Sequence, residues 1–223
     1  MDKMIVYEDK VLLVVHKPVG IATETARVGQ ADLVSELKNY RRRKGEDAYI
    51  GVVHRLDQPV EGLLVFAKDA PTAHALSDDL QKGRFTKKYA ALVAGVLDAQ
   101  EGTLSDMLQK DGRTNLSAVV PEGTKGAKQA VLHWKRMRYN ETCSLAEIEL
   151  YTGRHHQIRV QMAHAGFPLL GDFKYGSASS KQLSNELHIN STALMAYEIH
   201  LRHPVTGETM EYSLNLDKFH KIF

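Results

Sequence analysis

The sequence predicts an α+β fold, on three observations. Strand-like and helix-like patterns alternate irregularly, without the regular β-α-β succession of a doubly wound sheet. Pairs of short apolar runs flank two or three polar residues, as hairpins do. With 223 residues, 43% of them hydrophobic, the chain can bury a full core as one large domain or two small ones.

Charge and cysteine content narrow the class. A formal charge of +2 is too balanced for a histone-like arm, so any nucleic-acid contact must come from a local basic surface. One cysteine, Cys143, excludes an intramolecular disulfide framework and points to a reducing compartment. The N-terminus, MDKMIVYEDK, lacks the apolar core of a signal peptide, and no apolar run approaches the roughly 20 residues needed to cross a bilayer. The expectation is a soluble cytoplasmic protein with no membrane contact.

In chain order, Met4–Tyr7 and Val11–His16 flank Glu8-Asp9-Lys10 in a hairpin pattern, and Lys17-Pro18-Val19-Gly20 stops the second strand. Ala31–Lys44 is a predicted helix with Leu33, Val34 and Leu37 on one face. It ends in Arg41-Arg42-Arg43-Lys44 and Gly45; these cations suit the helix dipole, and four in a row are also a candidate phosphate contact. Tyr49–Val53 and Leu63–Ala67 read as buried strands, and Pro71–Gly83 as a helix with Ala73, Leu76 and Leu80 on one face. Thr86–Leu97 reads as a strand that puts Lys87, Tyr89, Ala91, Val93 and Gly95 on one side.

Glu101–Lys128 is polar and rich in glycine, so a short strand near Thr103–Leu108 and then a loop to about Lys128 are expected. Gln129–Tyr139 and Thr142–Tyr151 form a strand pair turning at Asn140-Glu141. Arg154–Ala165 is a predicted helix, with His155, Arg159 and Met162 on one face. His155, His156 and His164 do not make a zinc site, because adjacent histidines on a helix point different ways and no third-ligand pattern follows. Leu194–Arg202 and Thr209–Leu214 are strands around a His203–Glu208 turn.

Chemistry concentrates between Gly51 and Ala70, GVVHRLDQPVEGLLVFAKDA. A turn-rich segment between two strands carries Arg55 and Asp57. A neighbouring cation favours an ionised carboxylate, and a carboxylate so placed can act as a nucleophile. An exposed ion pair on an ordinary loop fits the same residues.

The wording of the motifs separates these readings. His54-Arg55-Leu56-Asp57, followed by a turn, Gly62 and an apolar strand ending Ala67-Lys68, resembles the catalytic motif of the RluA-type RNA pseudouridine synthases. Lys17-Pro18-Val19-Gly20 is similar to that family's opening phrase. Lys87-x-Tyr89-x-Ala91-x-Val93-x-Gly95 resembles its second motif. Gly153-Arg154-x-His156-Gln157-Ile158-Arg159, continuing to Gly166-x-Pro168 and Gly171-Asp172-x-x-Tyr175-Gly176, resembles its long third signature. Leu194 and His203-Pro204 are in register with its C-terminal one.

The resemblance implies a single catalytic domain, residues 1–223, with a mixed, mainly antiparallel central sheet flanked by helices and loops and no S4-type RNA-binding domain. It implies conversion of a uridine in ribosomal or transfer RNA to pseudouridine, by a monomer, without cofactor or metal. Asp57 would be the catalytic residue, Tyr89 the aromatic that stacks on the target base, and Arg159 the cation that pairs with the catalytic acid. Arg55, Lys87, Arg154 and His155 are the candidate RNA contacts, and Ile199 and Leu201 the candidate apolar wall of the base pocket. One departure is visible: the family's Thr-Ser-Gly turn is here Gln58-Pro59-Val60-Glu61-Gly62, which keeps the glycine and loses the hydroxyls. An RNA-binding protein without catalysis, or a glycosidase-like hydrolase using Asp57, are the competing expectations. The second lacks an evident acid–base carboxylate at a motif position.

Overall fold

Two compact units make up the computed structural model, one from residues 1–87 and 196–214, the other from residues 88–195 and 215–223. The structure describes residues 2–25 and 29–223. Among the described residues, no helix is long and apolar enough to cross a membrane.

In the first unit, β1 (Ile5–Glu8) and β2 (Leu12–Lys17) form the expected hairpin. Its turn is held by Asp9, whose Oδ1 accepts from the backbone N–H groups of Val11 (2.8 Å) and Leu12 (2.7 Å). β2 pairs antiparallel with β4 (Glu61–Ala67) from Leu12↔Ala67 to Lys17↔Gly62. The other side of β4 takes β10 (Leu194–Arg202), which pairs with β11 (Thr209–Ser213). The expected strand Tyr49–Val53 is reduced to β3, Gly51–Val52, which pairs only with Ala67 and Phe66 because β10 takes the rest of that edge. Helix α1 (Leu33–Arg43) is capped by Asp32, whose Oδ1 accepts from Ser35 N at 2.7 Å, and α2 (Ala70–Gln81) by Asp69 in the same way. Leu76 of α2 completes a core with Leu12, Val14, Leu63, Val65 and Phe85.

In the second unit, β5 (Thr86–Ala94), β9 (Cys143–Leu150), β8 (Lys128–Tyr139), β6 (Glu101–Asp111) and β7 (Leu116–Val120) lie in that order, all antiparallel. The strand expected near Thr103–Leu108 is present as the longer β6, but the loop expected after it to Lys128 is confined to residues 121–127, because β7 first returns along β6. Both strands are polar on one side and so carry a weak strand signal. The hairpin turn is built by Asp111, which accepts from Arg113 N and Thr114 Oγ1, and by Asn115 at φ 54°.

The helix expected over Arg154–Ala165 begins only at Gln157, as α3 (Gln157–His164), because His156 has φ 56° and breaks the helical path. His155 therefore precedes the helix and does not share a face with Arg159. A further helix, α4 (Ala178–Glu186), capped by Ser177, has no counterpart in the sequence reading.

Candidate active site

In the first unit, Asp57 sits half-buried at the first position of a turn closed by Val60 N donating to Asp57 O at 3.0 Å. Three residues of one segment distant in sequence, 17–23, grip this turn. Thr23, itself buried, donates Oγ1–H to Leu56 O (2.9 Å) and accepts from Leu56 N (3.1 Å). Gly20 N donates to Gln58 O, and Gln58 Nε2 returns a bond to Gly20 O, both at 2.9 Å. Beneath them lies Lys17, with no exposed surface; its Nζ donates to the carbonyls of Pro18 (3.0 Å), Ile21 (2.8 Å) and Gln58 (3.3 Å). Burial outweighs the attraction of the Asp57 and Glu61 carboxylates and leaves the Lys17 ammonium at about 8. A fixed cation therefore stands behind the Asp57 turn.

The other residues of the motif have distinct jobs. His54 is buried against Phe85, ring centroids 5.3 Å apart and edge-on, and its Nε2 accepts from Val65 N at 3.2 Å. Burial, with the Lys87 ammonium beside it, holds the imidazole well below its usual pKa, so His54 is a neutral anchor tying the loop to β4. Leu56 points into the interior. Arg55 points out, 65% exposed, and pairs with Glu24. Gly62 has φ +139°, and a Cβ there would run into the carbonyl oxygen of Ala196. The glycine kept at this place in the motif is thus required by close approach of β4 and β10.

Lys87 is half-buried beside Phe85, and burial lowers it to about 8. Ile199 and Leu201 correct the expectation made of them. They are 0% and 2% exposed, in the core that α2 covers with Leu76, and offer no surface to a base. Their alternation along β10 marks a buried face, and the pattern is the same whether that face meets a helix or a ligand. The four-cation run also divides: Arg41 is buried, bonded to Tyr49 O and Lys68 O and paired with Glu46, and Lys44 pairs with Glu8. Arg42 and Arg43 remain exposed.

In the second unit, Tyr89 lies on β5 opposite Ile148 and is 5% exposed. Arg159 is buried on α3 and grips Asp172 through Nε–Oδ2 (2.6 Å) and Nη2–Oδ1 (2.8 Å). Asp172 also accepts from Lys174 N and Tyr175 N. Burial alone would raise the Asp172 pKa; the guanidinium outweighs it and holds the group below the usual carboxylate range. The Asp172 pairing is a partnership that sequence reading missed, although both residues stand in one signature.

His156 Nδ1 and the Tyr175 hydroxyl share a hydrogen bond of 2.7 Å, and the hydroxyl oxygen accepts from Ser117 N (2.9 Å). His155 stacks on His156 with centroids 3.7 Å apart, and its Nδ1 bonds Ser117 Oγ at 2.8 Å. Arg154 is exposed, its Nε donating to Gln129 O. The third signature is therefore a framework that fastens the start of α3 to β7 and β8, with Arg159 held at two points.

A carboxylate on a turn braced by the 17–23 segment, with the buried Lys17 ammonium behind it, is equipped to act as a nucleophile or a base. The model of the RNA pseudouridylate synthase family matches residues 11–164. "Uncharacterized RNA pseudouridine synthase YhcT" of Bacillus subtilis is 38% identical over 208 residues, covering 92% of this chain and 65% of that protein. "Ribosomal large subunit pseudouridine synthase D" of Pasteurella multocida is 35% identical over 216 residues, covering 93% of this chain and 65% of its own length. The chain thus spans about two thirds of these relatives. Among solved structures, human RNA pseudouridylate synthase domain containing 4 shares the fold, with TM-score 0.78, 23% identity, and 98% of this chain and 90% of that one covered.

Proposed function

Because the chain belongs to the RNA pseudouridylate synthase family, we propose that it isomerises a specific uridine of ribosomal or transfer RNA to pseudouridine, in the cytoplasm, with Asp57 as nucleophile. In this reaction the bond from the ribose to N1 of uracil breaks, the base turns, and a bond forms to C5. The C5 proton is lost and N1 gains one, so atoms balance without an oxidant or reductant. The observation that carries the reading is the bracing of Asp57 by Thr23, Gly20 and the buried Lys17.

A base in a duplex is out of reach of such a carboxylate, so the nucleotide is extruded at a cost of a few kcal/mol. Arg55, exposed next to the turn, fills the vacated space. Tyr89 stacks on the detached base and Arg159 steadies the acid, the roles their motifs imply. Lys87, Arg154 and His155 contact the RNA around the target. The Gln58–Gly20 bonds support catalysis over a lapsed, binding-only protein, because they tie the Asp57 turn to the 17–23 segment although the hydroxyls of the usual motif are gone.

The test is pseudouridine mapping of total RNA from cells with and without the gene. Loss of a modified position, restored by the unaltered chain and not by Asp57→Asn, is the expected result. Restoration by Asp57→Asn, or release of free uracil, would overturn it.

A further inference from the structure

The second unit carries a basic and aromatic surface well away from the third signature. β8 alternates buried and half-buried residues as far as Trp134. Its register with β9 then shifts between Arg136 and Arg138, so that Met137 is inserted as a bulge. From Lys135 to Tyr139 every side chain is exposed or half-buried, Tyr139 by 57%. Lys135 stands opposite Glu147, which offsets its charge. The two arginines are held differently. The Arg136 guanidinium lies over the Tyr139 ring at 4.2 Å and donates to Leu97 O, and that of Arg138 lies over the Phe223 ring at 5.4 Å. Asn140 Nδ2 donates to Ile222 O and brings the last residues of the chain to this end of the strand.

On a chain of net charge only +2, two guanidiniums fixed over aromatic rings at an exposed strand end are a concentrated cationic feature. An arginine braced by a ring loses little freedom on meeting a phosphate, and its planar fork matches two phosphate oxygens. A half-exposed tyrosine beside it presents a face on which a base of any identity can stack. The α3 end of β8, where Arg154 bonds Gln129 O, is nine residues away, about 30 Å along an extended strand.

The register shift puts Arg136 and Tyr139 on one face of this strand end and Arg138, over Phe223, on the other. We propose that the three grip a single-stranded stretch of RNA passing over the strand end, away from the third signature, by phosphate contact and base stacking. This rests on the RNA reading above and deepens it.

The test measures binding of the full chain to a fluorescent 12-nucleotide oligouridylate by anisotropy, across a series of salt concentrations. Arg138→Ala combined with Tyr139→Ala should weaken binding about 10-fold and reduce the salt slope by about one phosphate contact, with the melting temperature unchanged. Arg138→Lys alone, which keeps the charge, should recover the salt slope. Unchanged affinity and slope in the double variant would overturn the surface and leave the catalytic proposal standing. Failure of the unaltered chain to bind the oligonucleotide would likewise overturn the surface, whereas loss of the catalytic reading would show only in the mapping of total RNA.

Discussion

Gln58 and Gly20, far apart in the chain, exchange two hydrogen bonds of 2.9 Å: the glycine N–H to the glutamine main-chain oxygen, and the glutamine side-chain amide to the glycine oxygen. The second exists only because a glutamine follows Asp57, where relatives of this motif place a hydroxyl residue or two. Gln58→Ala should lower turnover several-fold while costing about 0.5–1 kcal/mol of stability, since one exposed hydrogen bond is lost. Single-turnover kinetics and a urea titration on the same sample check this; a large stability loss with unchanged turnover would assign Gln58 to folding alone.

Gly62→Ala is expected to be severe. The position combines φ +139° with a carbonyl oxygen where the methyl would go, and the obstacle is backbone that cannot turn aside. A loss of about 3 kcal/mol or more is expected from strain and from parting β4 and β10, read as a shift in the denaturant midpoint.

Asp172→Asn should destabilise the second unit by about 3 kcal/mol, because it removes the charge of the carboxylate that grips the buried Arg159 guanidinium at two points. Turnover should fall with it even though Asp172 lies in a loop with no assigned chemistry. Activity retained at full stability would show that Arg159 does not depend on Asp172.

Arg55→Ala removes an exposed side chain whose partner among the described residues is the exposed Glu24, so stability should be unchanged. Turnover on a folded RNA should fall by more than on an unstructured oligonucleotide, because only the folded substrate leaves a gap when the base is extruded. Equal losses on both would sink the role.

The hairpin carries the acid sensitivity of the first unit. Burial raises the Glu8 pKa, but hydrogen bonds from Lys68, Tyr40 and Lys44 outweigh it and hold the group at about 2. A depressed folded-state pKa contributes stability that is present above the ordinary value of 4.5 and is lost as pH falls towards 2. The amount is about 2–3 kcal/mol, reduced from the full shift because Lys44 is partly exposed. Urea midpoints from pH 7 down to pH 3 should fall, and Glu8→Gln should flatten the part of the curve below pH 4.5.

What the sequence determined by itself was everything written in adjacent residues. The continuous apolar runs of β2 and β4, the one-faced apolar spacing of α1 and α2, and the order of the motifs placed Asp57 on a turn after an apolar segment and Arg159 in a helix. β7 escaped, and β6 was read too short, because half of each strand faces water and the glycines around them read as loop. The late start of α3 escaped because one residue, His156, takes a left-handed backbone that no periodicity announces. Only tertiary structure decided what each motif residue touches: that His54 anchors rather than reacts, that Lys17 is a buried cation under the turn, that Arg159 grips Asp172, and that Ile199 and Leu201 belong to the core. The reason is physical. Helix and strand periods arise from contacts a few residues apart and are legible along the chain, whereas burial, a buried partner and a shifted pKa depend on groups that meet only after the chain has folded.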